Sequence, residues 1–199
     1  MAKSRIVVIG LGGGGLVAIE GMAHSRMTGV ELAAADTDAA ALQRSSAFLK
    51  LQLGANLVKG LGAGGNPAIG AKAAQESAAE IERGLSGATS VVIVAGMGGG
   101  TGGGAAPEVA RIAKRLGAQV VGIVTKPFSF EGPKRRTVAE ETIAQLQGAA
   151  GALIVISNDT LTDKLSGIDK STTAVAAFKV VDEALRQAVK AVVDRHASG

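Results

Sequence analysis

A run of glycines between a buried strand and an amphipathic helix restricts the possible folds of this chain more than any other feature. Residues 91–95 are apolar and mostly β-branched without polar alternation, which is typical of a central parallel strand covered on both faces. Seven of the nine residues from 96 to 104 are glycine. Residues 105–116 then show helical spacing of apolar positions, and Gly117 follows as a helix-ending residue. This order predicts an α/β domain.

The glycine-rich segment, residues 96–104, has the chemistry of a phosphate site. Unpaired N–H groups and the positive end of the helix dipole meet at the start of the following helix, and glycine leaves the amides open to a ligand. No Gly-Lys-Ser/Thr follows, so the Walker pattern is absent. We therefore expect main-chain groups to hold the phosphate. A flexible linker is disfavoured, because linkers do not normally separate a buried strand from an amphipathic helix.

A second glycine-rich stretch raises an alternative enzyme class. Gly10, Gly12 and Gly15 follow a strand at residues 6–9 and match G-x-G-x-x-G, with a helix expected over residues 16–25. Asp36 ends the next strand, where a Rossmann enzyme places a ribose-binding carboxylate. These features fit an NAD(P)-dependent oxidoreductase. However, a third glycine-rich stretch at residues 60–67 suits a longer phosphate chain, and no length remains for a substrate domain.

The segment Gly-Gly-Gly-Thr-Gly-Gly-Gly at 98–104 resembles the characteristic loop of the tubulin/FtsZ family of GTPases. The resemblance extends to residues 9–22, 36–39, 126–132 and 157–159. It implies a three-layer, Rossmann-like α/β GTPase domain with a mainly parallel six-stranded sheet. Periodicity places the strands at residues 6–9, 30–35, 48–53, 91–95, 119–125 and 152–156. Helices are expected at 67–83 and 172–197, among others.

The same resemblance implies a GTP/GDP site and the residues that form it. Phosphate contacts are implied for Gly12, Gly13, Gly14, Ala63, Gly64, Gly65, Gly98, Gly99, Gly100, Thr101 and Gly102, of which Ala63, Gly64 and Gly65 would sense the terminal phosphate. Ribose and base contacts are implied for Glu131, Arg135, Asn158 and Asp182. The Asp182 carboxylate would accept from guanine N1–H and the 2-amino group, a pairing that adenine does not offer. No metal-binding residues are implied, and Mg²⁺ is a candidate ion that accompanies the nucleotide.

Four positions depart from the family pattern in or beside these segments. Val17 replaces an asparagine implied to contact guanine or ribose, and Asp36 replaces another asparagine and adds a negative charge near the phosphates. Gly103 stands where the family has a second threonine. Pro133 replaces a basic residue, although proline is well suited to the first position of a helix.

The resemblance covers nearly the whole chain, 1–199, but about half of an ordinary family member. The second domain and its acidic hydrolytic loop would lie beyond residue 199, so no catalytic residue is assigned. GTP hydrolysis is expected when a complete neighbouring subunit supplies that loop. FtsZ-like subunits are the implied partners, in a cell-division filament or as a cap that inhibits one. We also expect Val189, Val192 and Val193 to be partly exposed, because the second domain would normally cover the last helix.

Composition argues against several other classes of protein. The 199 residues are 47 % hydrophobic and 19 % charged, contain no cysteine, and show no run long enough for a membrane span, so a cytoplasmic location is expected. The net charge is +4, but the basic residues are dispersed and Trp and Tyr are absent. The spacing of the four phenylalanines predicts no stacking platform, which disfavours nucleic-acid binding. His24 and His196 are predicted to be surface residues.

Overall fold

Six parallel strands form one sheet in the computed structural model, which describes residues 4–164 and 174–197. The spatial order is β3-β2-β1-β4-β5-β6, and each neighbouring pair is parallel. The predicted six-stranded parallel sheet is therefore confirmed. The strands are β1 (Ile6–Leu11), β2 (Glu31–Asp36), β3 (Leu49–Gln52), β4 (Ser90–Gly96), β5 (Gln119–Lys126) and β6 (Ala152–Ser157).

Helices cover both faces of this sheet and complete the predicted three layers. The described helices are α1 (Gly12–His24), α2 (Ala39–Arg44), α3 (Pro67–Glu76), α4 (Ala78–Leu85), α5 (Gly100–Arg115), α6 (Pro133–Ala149), α7 (Asn158–Lys164) and α8 (Ala174–Ala197), with a 3-10 turn at Ser129–Glu131. One apolar cluster joins the sheet to α3, α4, α5 and α6, and the other joins it to α1, α2 and α8. None of the helices in the described ranges combines the length and the hydrophobicity needed to cross a membrane.

Two helices begin inside glycine runs, earlier than predicted. α1 begins at Gly12 rather than residue 16, and α5 begins at Gly100 rather than residue 105. The low helix propensity of glycine is outweighed at α5 by close packing. A Cβ on Gly104 would lie 2.0 Å from the main-chain oxygen of Pro67, so only glycine lets α3 pass this close to α5.

The helix predicted over residues 67–83 is broken at Ser77. Its N-terminal signals are correct, because the Asn66 side chain accepts from Ala68 N at 2.9 Å and Pro67 is the first helical residue. The break follows from a long-range contact of Ser77. Its hydroxyl oxygen accepts from Gly54 N at 2.9 Å and its hydroxyl donates to Gln52 O at 3.3 Å, which ties the junction to the end of β3.

The prediction of partly exposed valines on the last helix is wrong for Val189 and Val193 and is confirmed for Val192. Val189 and Val193 are buried, and Val192 is half-buried. They pack in the cluster that also contains Ile19 and Met22 of α1. The apolar face of this helix is therefore covered by other parts of the same domain. The expected start at residue 172 lies outside the described residues.

Candidate nucleotide site

A pocket of about 380 Å³ opens at the carboxyl ends of the central strands. Leu11 of β1, Gly96 of β4 and Thr125 of β5 line its base. In open parallel α/β sheets this edge is where ligands bind. The other lining residues are Gly12, Gly13, Gly14, Met97, Gly98, Gly99, Gly100, Thr101, Gly102, Pro127, Glu131, Arg135, Asn158, Phe178, Val181, Asp182 and Leu185.

Two helix N-termini meet at one end of this pocket. α1 enters with Gly12, whose φ of 67° is accessible to glycine at little cost, and α5 enters with Gly100. Neither helix has a side-chain cap at its N-terminus. First-turn N–H groups and both dipoles therefore present positive potential to the same space, which suits a phosphate group.

The loop predicted to sense a terminal phosphate lies behind this end rather than in the lining. Ala63, Gly64 and Gly65 are absent from the pocket wall that the structure describes. The loop packs against the start of α5 through Ala63, Gly65 and Asn66: a Cβ on Gly100 would lie 3.0 Å from Ala63 Cβ, 3.0 Å from Gly65 C and 2.7 Å from Asn66 N. Contact of Ala63, Gly64 and Gly65 with a phosphate stays a prediction.

α8 forms another part of the pocket wall, with Phe178, Val181, Asp182 and Leu185. Asp182 is half-buried there, and burial raises the pKa of its carboxyl above the usual range. Within the described parts of the chain, no donor is hydrogen-bonded to this carboxylate. Asn158, at the start of α7, is buried and lines the same pocket. The two predicted base-reading residues are thus brought together.

Phe178 lies one helical turn before Asp182 and was missed as a pocket residue. Its ring meets that of Phe128 edge-on at 5.2 Å, and Phe128 stacks on Phe130 at 4.8 Å. These three phenylalanines therefore pack on one another, which their spacing in the sequence did not predict. The spacing of Phe178 and Asp182 by four residues places them on one helix face and was the available signal.

Glu131 and Arg135 line the pocket but are paired with each other. Glu131 Oε2 accepts from Arg135 Nη1 at 2.6 Å, and Oε1 accepts from Phe128 N at 2.9 Å. The carboxylate thus closes the 3-10 turn that precedes α6. Pro133 is the first residue of α6, as predicted, so it does not disturb this geometry.

Two departures from the family pattern are accommodated by their surroundings. Val17 is 52 % exposed on α1 and does not line the pocket. Gly103 faces α6, where a Cβ would lie 3.0 Å from Cγ2 of the buried Thr142. The Thr142 hydroxyl donates to Met97 O at 3.1 Å, and so supports the glycine-rich segment from behind.

Asp36 ends β2, as the dinucleotide-binding alternative expects, but its side chain is buried outside the pocket lining. Its side chain is 4 % exposed, and Oδ1 accepts from Thr37 N at 2.7 Å and from Asp38 N at 3.2 Å. It is not among the residues that line the pocket. The structure therefore gives no support to the ribose role that the oxidoreductase alternative gave to Asp36. Asp38 caps α2, as predicted, by accepting from Ala41 N at 2.9 Å.

A parallel α/β domain with two uncapped helix N-termini facing one pocket belongs to the nucleotide-binding class. Comparison with known families makes this specific. The family model described as "Tubulin/FtsZ family, GTPase domain" matches residues 5–166 of this chain. The chain belongs to the tubulin/FtsZ family, and the match supports neither an oxidoreductase nor a filament cap.

Solved structures give the same result. An empty FtsZ dimer from M. jannaschii is 41 % identical with a TM-score of 0.91, over 97 % of this chain and 55 % of that one. The W319Y mutant of M. jannaschii FtsZ is 42 % identical with a TM-score of 0.91, over 96 % and 57 %. A GTPγS-bound protofilament of CetZ2 from Haloferax volcanii shares the fold at 23 % identity and a TM-score of 0.82, over 95 % and 58 %. The chain thus spans little more than half the length of these relatives.

Proposed function

We propose that this chain binds GTP and GDP in the pocket at the carboxyl edge of its sheet. The observation that carries the proposal is the Asp182 carboxylate, half-buried in the pocket wall with no described donor. A partly desolvated carboxylate gains from hydrogen-bond donors that a ligand brings to it. Guanine supplies two adjacent N–H donors, whereas adenine in the same orientation leaves the carboxylate desolvated and unpaired.

The chemistry of the lining residues suggests where the phosphates, the ribose and the face of the base bind. The phosphates lie against the N-termini of α1 and α5, where main-chain N–H groups from Gly12 to Gly14 and Gly98 to Gly102 are the donors. Phe178 offers an aromatic face to the base. The ribose lies near Glu131, whose carboxylate shares its bonds with Arg135.

Mg²⁺ enters this proposal with the nucleotide. No group of three or more His, Cys, Asp or Glu side chains in the described residues forms a site for a metal ion. Mg²⁺ is commonly held by substrate phosphates and waters with few protein ligands. The phosphates of GTP are therefore its main ligands in the proposed complex.

Hydrolysis and assembly form the second part of the proposal. The chain associates with FtsZ-like subunits in a cell-division filament, and an acidic loop of a complete neighbouring subunit activates the attacking water. FtsZ of M. jannaschii, at 41 % identity, has been solved as a dimer. A cytoplasmic location stays a prediction from composition.

Calorimetric titration with GTP, GDP and ATP tests the binding proposal. The native chain is expected to bind GTP and GDP, and Asp182→Asn is expected to lose about tenfold to a hundredfold in guanine affinity, because it loses a charge-assisted acceptor. Asp194→Asn is the matched control, since Asp194 lies on the same helix, is exposed and pairs with Lys190. Equal binding of GTP and ATP by the native chain would contradict the assignment of Asp182.

Assembly is tested separately by sedimentation with a full-length FtsZ. Co-sedimentation in GTP, with turnover above the sum of the separate proteins, is the expected result. Loss of polymer at substoichiometric ratios would instead identify the filament cap that the sequence left open. Absence of any effect on polymer or turnover would contradict the proposed partner.

A further inference from the structure

Asp36 is a buried carboxylate beside the proposed phosphate site, and the proposed binding contacts do not use it. It ends β2 and is 4 % exposed. Its Oδ1 accepts two main-chain N–H bonds, from Thr37 and Asp38. Asp38 is the charged neighbour that acts on it, and the Thr101 hydroxyl is its side-chain hydrogen-bond partner.

Thr101 connects this carboxylate to the pocket. It is buried, lines the pocket, and belongs to the first turn of α5. Its Oγ1 lies 2.6 Å from Oγ1 of the fully buried Thr37. Thr101, in the pocket wall, is therefore the middle member of a chain of three polar groups, bonded to Asp36 on one side and to Thr37 on the other.

The direction of the hydrogen bonds in this chain follows from the chemistry of its members. Each hydroxyl has one proton, and an ionised carboxylate only accepts. Thr101 must therefore donate to Asp36, and Thr37 must donate to the oxygen of Thr101. The one proton of the Thr101 hydroxyl is then directed away from the pocket. For a phosphate that approaches Oγ1, only the oxygen of this hydroxyl is then available, and it repels a phosphate oxygen.

We propose that Asp36 withholds the Thr101 hydroxyl from the nucleotide phosphates and so limits the affinity of the site. This inference rests on the proposed function, since it concerns the phosphates of the same guanine nucleotide. Asp36 acts through Thr101 and is a positioning residue. The negative charge of Asp36 opposes phosphate binding in the same direction.

The substitution Asp36→Asn reverses the polarity of this chain with little change in shape. Both main-chain bonds go to Oδ1, and the amide side chain of the variant would keep that oxygen. Nδ2 would replace Oδ2, and an amide nitrogen donates a hydrogen bond, whereas a carboxylate oxygen only accepts one. Thr101 then accepts from the amide, and its proton is released toward the pocket as a donor to phosphate.

The test compares Asp36→Asn with the native chain by calorimetric titration of GTP and of GDP. The variant is expected to bind at least one of them about tenfold or more tightly, since hydrogen bonds to charged groups are the stronger ones. Asp38→Asn is the matched control. It makes the same chemical change two residues along, and asparagine caps a helix as well as aspartate does, so its affinity is expected to stay within about twofold.

A second pair of variants separates the effect of the Thr101 hydroxyl from the effect of the Asp36 charge. In a Thr101→Val chain, adding Asp36→Asn is expected to give little of the gain, because the released proton no longer exists. Thermal unfolding of each variant verifies that it is folded. A gain of equal size in the Thr101→Val background would overturn the inference and assign the effect to charge alone.

The two proposals fail in different ways. If the native chain binds GTP and Asp36→Asn binds no more tightly, the inference is wrong and the proposed function stands. If the folded native chain, Asp36→Asn and Asp38→Asn all fail to bind GTP and GDP, the proposed function is wrong and the inference falls with it.

Discussion

Gly103 of α5 and Thr142 of α6 are complementary in size: a Cβ at position 103 would lie 3.0 Å from Thr142 Cγ2 and 3.1 Å from Thr142 Oγ1. The threonine of the neighbouring helix thus fills the space that a side chain at 103 would need. Its single hydroxyl proton is shared between Met97 O, at 3.1 Å, and Val138 O of its own helix, at 2.7 Å. The glycine at 103, where the family has a threonine, therefore matches the presence of Thr142 on the neighbouring helix.

We predict that Gly103→Ala is destabilising in the native chain and less so in Thr142→Ala. The gain in helix propensity, about 0.5–1 kcal/mol, is offset by the contact with Thr142. The coupling free energy between the two positions is expected to be about 1 kcal/mol or more, as for residues in direct contact. Urea unfolding of the four chains measures it.

The control for this cycle is Gly148→Ala. Gly148 lies in α6, and a Cβ there would meet no atom within 4 Å. The substitution is expected to stabilise the chain by about 0.5–1 kcal/mol, from propensity alone. Additive effects of Gly103→Ala and Thr142→Ala would show that the two residues do not share this space.

The stability of the domain should depend on pH through Asp36. Burial raises the pKa of this carboxyl in the folded chain, against hydrogen bonds from Asp38 N, Thr37 N and Thr101 that lower it. The folded state therefore binds the proton more tightly than the unfolded state, whose pKa is about 3.9. The stabilisation is complete below that value and is lost as the pH rises through the folded pKa.

Asp36→Asn removes this dependence. The variant is expected to gain in free energy of unfolding relative to the native chain as the pH rises from about 4 to 7. Denaturant unfolding at several pH values measures the difference. A difference that is constant or shrinks with rising pH would show that burial does not govern this carboxyl.

Affinity for GTP should fall in acid because of Asp182. Burial raises the pKa of its carboxyl, and only the ionised form accepts both guanine N–H groups. A protonated Asp182 must lose its proton before it binds, so the affinity declines as the pH falls through the raised pKa. The pH profile of Asp182→Asn is expected to lack this step, and a step retained in the variant would assign it to another group.

Phe178→Ala should weaken guanine and adenine nucleotides alike. Stacking on an aromatic face contributes about 1–3 kcal/mol per base and discriminates poorly between bases. Asp182→Asn, in contrast, acts selectively on guanine. Val175→Ala is a suitable control, because Val175 is exposed on the same helix and does not line the pocket. Titration of GTP and ATP into the three chains distinguishes these roles, and a guanine-selective loss in Phe178→Ala would contradict stacking.

The sheet was predictable because its signals are local. Buried apolar runs such as residues 91–95 mark strands whatever packs on them, and the caps at Asp38 and Asn66 depend on residues two or three positions away. The features that were predicted wrongly depend on distant parts of the chain. Ser77 breaks a helix because Gln52 and Gly54 bind it, and Val189 is buried because α1 lies across from it.

In the site, too, some features could be predicted from the sequence and others depend on contacts between distant residues. The glycine-rich lining and Asp182 were predictable from the family resemblance, and the pocket brings them together. The pairing of Glu131 with Arg135, the packing of Phe178 on Phe128 and the burial of Asp36 were not. Each depends on side-chain directions that only the folded chain defines.

The contact between α3 and α5 has a mechanical consequence. It is made by main chain against main chain on both sides: Cβ atoms on Gly70 and Gly104 would lie 2.2 Å and 2.0 Å from the oxygens of Gly100 and Pro67. Most helix pairs are separated by side chains that can change conformation or be changed by mutation. Between Gly70 and Gly104 and these oxygens there is no side chain. The two helices therefore form a rigid joint, and any displacement of the 63–66 loop that moves the start of α3 is transmitted undamped to the first turn of α5.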